Sequence, residues 1–278
     1  MYTLNCKGKL LIIDKPLVMG IINATPDSFY DGGQHTKLGS IIALAEKMVT
    51  DGAEILDIGG QSTRPGSERI SADEELKRVI PAIKAVHHHF PQVIISVDTY
   101  YSKVAKEAVN TGASIVNDIS AGEMDKDMIP TIAALKIPYS CMHMKGTPDS
   151  MQKDILYGDV VKEVLDFFID KTNECKEAGI TDLIIDPGFG FGKTTRHNFQ
   201  LLKELNTFSM LQKPILAGLS RKATIYKTLG ITAAEALNGT TVLNTMALMN
   251  GASILRVHDV KEAREAVKLF IEYGNVFY

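Results

Sequence analysis

The sequence predicts an α/β fold, a single TIM (β/α)8 barrel with a short N-terminal β-hairpin. Eight short apolar segments alternate with eight segments whose apolar residues recur at helical spacing, within 278 residues. A Gly-Ala pair, which suits the end of a helix, precedes three of the apolar segments, at Gly52, Gly112 and Gly251. A doubly wound open sheet uses the same units, but no GxGxxG motif opens a helix after a first strand. We therefore expect one closed barrel domain spanning residues 1–278.

The expected elements follow from apolar runs that stop at turn residues and from apolar residues three and four apart. The hairpin should involve Tyr2–Leu4 and Leu10–Ile13. The expected barrel strands are Leu17–Ile22, Ile55–Ile58, Val93–Val97, Ile115–Asn117, Tyr139–Met142, Leu183–Ile185, Ile215–Leu216 and Ile254–Val257. The expected helices are Gly39–Thr50, Asp73–His89, Lys103–Asn110, Lys126–Ala134, Val160–Ala178, Asn198–Leu211, Ala233–Met249 and Val260–Tyr273.

Composition limits the classes of partner. Hydrophobic residues make up 45% and charged residues 23% of the chain, which permits a large core. The net charge is −3 and there is no long basic run, so we expect no nucleic-acid partner. Residues 1–15 are too short and too charged for a signal sequence or a membrane span, so we expect no membrane association. Three widely spaced cysteines form no disulfide framework or metal pair, which favours a reducing, cytoplasmic compartment.

Two connections are too long to be simple turns. Asn23–Leu38 follows the first barrel strand and Gly59–Ala72 follows the second. Both are rich in Gly, Pro, Ser, Thr and Asp, and long loops in compact domains are usually functional. We expect them to act as lids over the mouth of the barrel.

Polar side chains end most of the expected strands. In Leu183–Gly192 an apolar run leads directly into Asp186 and a Gly-rich exit, although a lone aspartate there could equally cap the next helix. Most of the other expected strands also end in polar residues. The C-terminal strand ends of a barrel converge on one mouth, so these side chains should lie together. These residues are Asn23, Asp98, Asn117, Asp186, Ser220–Lys222, Arg256 and His258.

The residue types at the strand ends suit a heterocycle that carries phosphate. The carboxylates of Asp98 and Asp186 accept paired N–H donors, and an asparagine amide both donates and accepts. Such a set matches the edge of an amino-pyrimidinone ring. Lys222, Arg256 and His258 offer positive charge for an anion. The amide oxygen of Asn23, with nearby loop oxygens, suits a hard cation such as Mg²⁺.

Several other features favour ordinary structural roles. Gly188–Thr194 resembles a Walker A motif but has the wrong spacing. His87–His89 is expected to be a solvated helix end, and Met246–Met249 is expected to be helix core. His143 is expected to pack against helices. Asp57 could be a site carboxylate or a buried partner of a nearby cation, and the sequence does not distinguish the two.

Eight segments together resemble dihydropteroate synthase, and they occur in order over nearly the whole chain. Each lies at an expected strand end. They are MGIINATPDSFYDGG (Met19–Gly33), DIGGQSTRPGS (Asp57–Ser67), SVDT (Ser96–Thr99), VNDIS (Val116–Ser120), MHMKGTP (Met142–Pro148), IIDPGFGFGK (Ile184–Lys193), GLSRK (Gly218–Lys222) and LRVHDV (Leu255–Val260).

The resemblance implies a transferase of folate synthesis that joins 6-hydroxymethyl-7,8-dihydropterin diphosphate to p-aminobenzoate and releases diphosphate. It implies residue roles as well. The pterin would contact Asp98, Asn117, Asp186, Lys222, Arg256, Met142, Phe191 and Ile119. The diphosphate would meet Asn23, Thr63, Arg256, Val257 and His258, with Mg²⁺ on Asn23. The p-aminobenzoate slot would comprise Phe29, Thr63, Pro65, Ser220 and Lys222, and the loop residues Asp31 and Arg64 would assist.

Two other functions share parts of this pattern. A methyltetrahydrofolate–corrinoid methyltransferase would use the same ring-binding carboxylates but would not need the STRPG, SRK and RVH segments together. A non-catalytic pterin-binding paralogue should lack some anion or metal residues, and none is missing here. The resemblance also implies a homodimer, formed through the late helices.

Overall fold

The structure is a computed structural model that describes residues 1–25, 34–61, 69–147, 151 and 155–275, without the side chains of residues 34–37. The chain opens with a hairpin of two strands, β1 (Tyr2–Cys6) and β2 (Lys9–Ile13), which pair antiparallel. Lys7 and Gly8 form the turn, and both have positive φ (54° and 85°), as a tight two-residue hairpin requires.

Eight parallel strands follow among the described residues and form one sheet in the order β8-β7-β6-β5-β4-β3-β10-β9. Ile185 on β8 bridges in parallel to Ile215, and its N–H donates to the carbonyl of Pro214 at 3.1 Å, so the two edges meet and the barrel closes. The predicted TIM barrel is confirmed. The strands are β3 (Leu17–Asn23), β4 (Ile55–Gly59), β5 (Ile94–Asp98), β6 (Ile115–Asp118), β7 (Tyr139–Met142), β8 (Leu183–Asp186), β9 (Leu216–Ala217) and β10 (Ile254–Val257).

Helices surround the barrel and differ from the prediction at three places. A short helix, Ala223–Leu229, was not predicted, and the segment predicted as one helix over Asn198–Leu211 is an α-helix followed by a 3-10 helix, Leu205–Leu211. The first helix begins at Gln34, inside the expected loop. The helices are α1 (Gln34–Thr50), α2 (Ala72–His89), α3 (Ser102–Thr111), α4 (Met128–Leu135), α5 (Val160–Glu177), α6 (Thr195–Lys203), α7 (Ala223–Leu229), α8 (Leu237–Met249) and α9 (Val260–Gly274).

The core has two layers, separated by the barrel wall. Outward-facing strand residues such as Leu183 and Ile185 pack with the helices, whereas Ile184 points into the barrel with one apolar residue from most other strands. Leu4 and Ile13 of the hairpin join this inner layer and close the N-terminal end of the barrel. The open end is therefore the C-terminal end, where the polar strand ends lie.

The prediction that Met246–Met249 is helix core is wrong for its two methionines. Met246 and Met249 on α8 are 46% and 54% exposed, while Ala247 and Leu248 between them are buried. The helical period explains the difference, because the methionines lie on the face of α8 that points away from the barrel. Among the described residues, no helix has the length and apolar character needed to cross a bilayer.

Candidate active site

The guanidinium of Arg256 is the centre of the polar mouth. Its Nε donates to Oδ2 of Asp57 and its Nη2 to Oδ2 of Asp98, both at 2.6 Å. The amide of Asn117 donates to the same Asp57 oxygen at 3.0 Å. Three strands far apart in sequence, β4, β5 and β6, are thereby joined to β10 through side chains. Charge-assisted contacts of this length between buried groups fix all four side chains.

Burial and neighbouring charges shift the protonation of this centre. Burial raises the pKa of Asp98 to about 7, with Arg256 opposing the rise and Asp57 adding to it. For Arg256, burial lowers the pKa, but Asp57 and Asp98 together raise it above its ordinary value. Asp57 is fully buried, and its second oxygen, Oδ1, has no hydrogen-bond partner among the described residues.

Asp57 therefore belongs to the site and is also the buried partner of a nearby cation, Arg256. Both roles that the sequence left open apply to it. The signal that could have decided the matter was strand parity, since Asp57 lies two residues after the inward-facing Ile55.

Asp186 and Lys222 lie on the other side of the mouth. Asp186 is buried and Lys222 is half-buried. A Cβ added to Gly218 would lie 3.6 Å from Nζ of Lys222 and 3.9 Å from Oδ2 of Asp186, so the missing side chain leaves the space between them open. Burial raises the pKa of Asp186, while Lys222 and the N–H of Gly188 lower it. That N–H donates to Oδ1 of Asp186 at 2.8 Å and orients the carboxylate.

The Lys222 ammonium has two further neighbours. It donates to the carbonyl of Phe189 and lies 4.7 Å above the ring of Phe191, in cation–π geometry. Burial lowers the Lys222 pKa to about 8, and Asp186 opposes the shift. Lys222 therefore loses part of its positive charge just above neutral pH.

Ser220 and His258 form a pair at the rim. The Ser220 hydroxyl lies 3.0 Å from Nδ1 of His258 and accepts the backbone N–H of His258 at 3.2 Å. The two loops that follow β9 and β10 are held together in this way. Arg221 points elsewhere, because it forms a two-bond fork with Asp259, with both N···O distances at 2.8 Å.

An apolar cluster lies beside the polar centre. Tyr100, Ile119 and Met142 are buried together at the ends of β5, β6 and β7, and the partly buried Phe191 packs on them. Ile119, Met142 and Phe191 are the residues that sequence reasoning expected to contact a flat ring. The structure brings them together with Tyr100, which sequence reasoning missed.

The lysine of the Walker-like segment holds the loop after β8. Lys193 is buried, and its Nζ donates to the carbonyls of His143, Gly188 and Phe191 at 3.2, 3.0 and 3.0 Å. Nδ1 of His143 lies 2.9 Å away. Burial lowers the pKa of His143 to about 2, so its imidazole is neutral. The ring of His143 packs edge-on against Phe167 of α5 at 4.9 Å, as predicted.

Gly188→Ala should destabilise the protein severely. The glycine has a φ of +70°, and a Cβ would lie 1.9 Å from the carbonyl oxygen of His143, which is backbone and cannot move aside cheaply. We expect a loss of at least about 3 kcal/mol in the free energy of unfolding, measured by urea denaturation.

Gly190→Ala is the matched control for that substitution. Gly190 has a similar φ of +87° but its nearest neighbour would be Cδ of Lys222 at 3.4 Å, an ordinary contact. Gly190→Ala should lower the free energy of unfolding by only about 1–2 kcal/mol, which is the cost of an alanine in a left-handed backbone conformation. Equal losses for the two variants would show that the close approach to His143 is not present.

The chain is similar to known proteins over nearly its whole length. The family described as "Pterin binding enzyme" matches residues 19–258. Dihydropteroate synthase of Escherichia coli K12 is 43% identical over 265 residues, which is 95% of this chain and 93% of that protein. The chain belongs to the dihydropteroate synthase family of pterin-binding enzymes.

Solved structures of the family agree with the fold along the whole chain. A Xanthomonas albilineans dihydropteroate synthase with 4-aminobenzoic acid superposes with a TM-score of 0.92 at 40% identity, covering 99% of both chains. Another structure of the X. albilineans enzyme, in complex with 7,8-dihydropteroate, gives 0.90 at 38% identity and covers 99% of this chain and 100% of that one. Membership of this family makes the protein a transferase.

The structure tests the position of only some residues that the resemblance to dihydropteroate synthase assigned. It brings Asp98, Asn117, Asp186, Lys222 and Arg256 to one mouth, with the rim pair beside them. Val257 is buried with its side chain in the outer core, so it can offer only its backbone to a ligand. Five residues lie outside the described part of the chain, namely Phe29, Asp31, Thr63, Arg64 and Pro65.

Asn23 is the only residue that we assigned to the metal. It ends β3 beside Gly59, its partner in the strand register, and is half-buried. Across the described ranges, no group of three or more His, Cys, Asp or Glu side chains could hold a metal ion. One hard amide oxygen at the mouth fits a Mg²⁺ ion that keeps most of its waters and is shared with substrate phosphates, not a metal held in a protein cage.

Proposed function

We propose that this protein condenses 6-hydroxymethyl-7,8-dihydropterin diphosphate with p-aminobenzoate to give 7,8-dihydropteroate and diphosphate. The observation that carries the proposal is the Arg256 centre, with Asp57 and Asp98 at 2.6 Å, facing Asp186 and Lys222 across one mouth. The ligands in the two X. albilineans structures support the same substrates.

The carboxylates explain how the ring would bind and react. Asp186, oriented by the N–H of Gly188, would accept paired N–H groups of the pterin, and Asp98 and Asn117 would contact another edge. Loss of diphosphate leaves cationic character on the exocyclic CH₂ group and the ring. Three carboxylates, Asp57, Asp98 and Asp186, surround two cations, so negative charge exceeds positive charge once Asp98 is ionised, which favours that cation over a neutral ring.

The rim would hold the leaving diphosphate. His258 and Ser220, which lie 3.0 Å apart, and the guanidinium of Arg256 present donors at the same end of the barrel. Mg²⁺ held by Asn23 would supply Lewis-acid charge to the departing phosphate oxygens. The neutral aniline nitrogen would then attack the exocyclic CH₂ carbon from the slot that includes Ser220 and Lys222. The new C–N bond replaces the C–O bond to diphosphate, one proton passes from the nitrogen to the released diphosphate or to water, and no covalent enzyme intermediate is needed.

The direct test of this function follows both products at once. Purified protein is incubated with the pterin diphosphate, p-aminobenzoate and Mg²⁺. Dihydropteroate and diphosphate should appear in equal amounts, and omission of the arylamine should abolish the pteroate. A protein that binds the pterin but forms neither product would overturn the proposal, as would methyl transfer without diphosphate release.

The reaction should weaken at alkaline pH. In the free enzyme the Lys222 pKa is lowered to about 8, so its positive charge is present below pH 8 and is lost as the pH rises through that value. We expect kcat/KM for the pterin diphosphate to fall above about pH 8, because this parameter reports the ionisation of free enzyme. Lys222→Arg should abolish that fall even where its absolute rate is lower. An alkaline limb near pH 8 that persists in Lys222→Arg would assign the ionisation to another group.

We also propose that a second copy of the chain covers the outer face of the late helices. The face exposes Leu229 on α7, Val242, Met246 and Met249 on α8, and Leu269 and Tyr273 on α9, each at least 44% exposed. A groove of about 650 Å³ between α8 and α9 runs along it. Sedimentation should show a dimer, and Leu269→Glu should yield monomers. A wild-type monomer at micromolar concentration would contradict the proposal.

The cysteines support a reducing compartment, and we propose the cytoplasm. Cys6, Cys141 and Cys175 are all free and buried. Cell fractionation of the source cells tests this placement, and recovery of the protein outside the cytoplasm would contradict it.

A further inference from the structure

The loop after β8 is built around one buried side chain, Lys193. Its Nζ has four acceptors, which we call the cage: the carbonyl oxygens of Gly188 and Phe191, both at 3.0 Å, the carbonyl oxygen of His143 at 3.2 Å, and Nδ1 of His143 at 2.9 Å. Lys193 is 3% exposed, and no carboxylate in the described part of the chain forms an ion pair with it. The ammonium is therefore held by neutral groups alone.

The cage selects a cation. Its three carbonyls require three N–H donors, and the ammonium is the form of lysine that has them. A buried charge without an ion-pair partner is costly, and the carbonyl dipoles offset that cost here. Burial lowers the pKa of Lys193, and Asp186 opposes the shift. Carbonyl oxygens that replace water around a bare monovalent cation work in the same way.

The residues of the cage also contact the proposed ring pocket. Gly188 accepts the ammonium with its carbonyl and donates its N–H to Oδ1 of Asp186 at 2.8 Å. Phe191 likewise accepts the ammonium, and its ring lies 4.7 Å from Nζ of Lys222. Between them, the carbonyl of Phe189 accepts the Lys222 ammonium. The groups that orient Asp186 and Lys222 thus belong to the stretch of chain that the cage holds in shape.

The cage also joins two neighbouring loops. A Cβ on Gly192 would lie 2.4 Å from the carbonyl oxygen of Lys145, and one on Gly188 would lie 1.9 Å from that of His143. The loops after β7 and β8 therefore touch through their backbones, with the ammonium bonded to both. A hydrated ion in its place would force the two loops apart.

We propose that Lys193 is a positioning residue for the pterin and that it acts as a tethered monovalent cation. Its ammonium gives the loop after β8 the shape in which Gly188 orients Asp186 and Phe189 holds Lys222. Without the side chain, the cage would take a small free cation that has N–H donors. The choice of the pterin as the ligand rests on the proposed function, whereas the cage does not depend on it.

Lys193→Gln separates the charge from the shape. A glutamine amide still donates two N–H bonds to the cage but carries no charge. We expect the pterin Kd to rise about tenfold. The fall in pterin affinity at acid pH should also begin about one pH unit higher, because Lys193 is one of the cations that lower the Asp186 pKa. Calorimetric titrations over that pH range measure both effects, and a normal affinity or an unshifted acid limb would overturn the proposal.

The other groups around Asp186 and Lys193 stay in place in this variant, so the shift reports the lost charge. The charged and titratable ones are Asp98, Lys222, Arg256, His143, Lys145 and His197.

Lys193→Ala tests the cage by chemical rescue. The substitution deletes the part of the side chain that n-propylammonium reproduces. Refolded from urea with n-propylammonium chloride, the variant should regain thermal stability and pterin affinity, both rising to saturation as one site fills. Tetramethylammonium chloride at the same concentration has the charge but no N–H donor, and it should have no effect. Equal effects of the two salts, or no effect of either, would show that the cage is not a cation site.

Lys171→Gln is the matched control. Lys171 on α5 is also a buried lysine, 6% exposed, but its ammonium contacts the carboxylates of Glu123 and Glu174 at 2.6 and 2.7 Å. The variant should keep the pterin Kd within about twofold of wild type and leave its acid limb unshifted. Changes equal to those of Lys193→Gln would show that loss of any buried ammonium has this effect. A wild-type protein that makes no dihydropteroate would overturn the proposed function alone, since rescue of the thermal stability of Lys193→Ala would still decide the cage.

Discussion

Replacement of Arg256 by methionine should reduce kcat/KM for the pterin diphosphate by about two to three orders of magnitude, the loss expected when a donor aimed at developing negative charge is removed. The substitution leaves Asp57 and Asp98 buried without their cation, although both now contact it at 2.6 Å. It also removes a donor from the proposed diphosphate site. Steady-state kinetics with both substrates measures the loss.

The same variant should show a characteristic dependence of stability on pH. Without Arg256, the pKa of Asp98 rises further above its unfolded value, because the guanidinium is the group that opposes the effect of burial. An acid with a raised folded-state pKa costs stability above its unfolded pKa, and the cost grows with pH until the folded pKa is reached. At pH 5 folded Asp98 is protonated in wild type and variant alike, so its cost is the same in both. The extra loss in unfolding free energy that Asp98 causes in the variant should therefore be large at pH 8 and small at pH 5.

Arg264→Met is the control for Arg256→Met. Arg264 on α9 pairs with Glu54 at 2.8 Å near the surface, so the substitution also removes a guanidinium and one ion pair. The pair is partly buried and lies before the start of β4, at the end of the barrel opposite the mouth, so kcat/KM should stay within about twofold of wild type. If Arg264→Met lost activity as strongly as Arg256→Met, the Arg256 centre would have no special role.

Asp186→Asn should lower affinity for the pterin at least about a hundredfold, because a bidentate charge-assisted contact becomes a mismatched amide. The fold should survive, since the asparagine oxygen can still accept the N–H of Gly188. Calorimetric titration with the pterin measures the affinity, and thermal unfolding measures the fold. Normal pterin affinity in Asp186→Asn would show that this carboxylate does not read the ring.

Asp118→Asn provides the matched comparison. Asp118 is another buried carboxylate at a strand end, but it faces away from the barrel, where it accepts the Tyr139 hydroxyl at 2.7 Å and the Gly122 N–H at 2.7 Å. Its substitution should lower stability by about 1–3 kcal/mol and leave pterin affinity nearly unchanged. We expect Asp186→Asn to lose pterin affinity and keep its stability, and Asp118→Asn to lose stability and keep its affinity. That result would assign ring binding to Asp186 and turn stability to Asp118.

Strand parity and strand-end chemistry were sufficient to predict the barrel and most of its polar mouth. The alternation that sends Ile184 inward and Ile185 outward is a local property of the chain, so it can be read without the fold. The same alternation carries Asp98, Asp186 and Arg256 to one end. It also points Asp57 into the barrel, two residues after Ile55. What it cannot give is the cation that Asp57 contacts, which only the 2.6 Å distance to Arg256 identifies.

The other omissions have physical causes of the same kind. The Arg69 contacts with Tyr101 depend on how a long connection returns to the sheet, and no local pattern encodes that return. In the sequence, Lys193 belongs to a segment that resembles a Walker A motif with the wrong spacing. In the structure its ammonium donates to three backbone carbonyls, one after β7 and two in the loop after β8. The sequence predicted Met246 and Met249 as core because apolar residues at helical spacing look alike whether they face the barrel or the outer surface.

A crystal structure of the protein with 7,8-dihydropteroate tests the central claim most directly. The pterin ring should lie between Asp98, Asn117 and Asp186, with Lys222 at its edge, the guanidinium of Arg256 stacked on its face and Met142 with Phe191 on its apolar side. Density for the ring at any other surface, with the Arg256 centre unchanged and uncontacted, would contradict it.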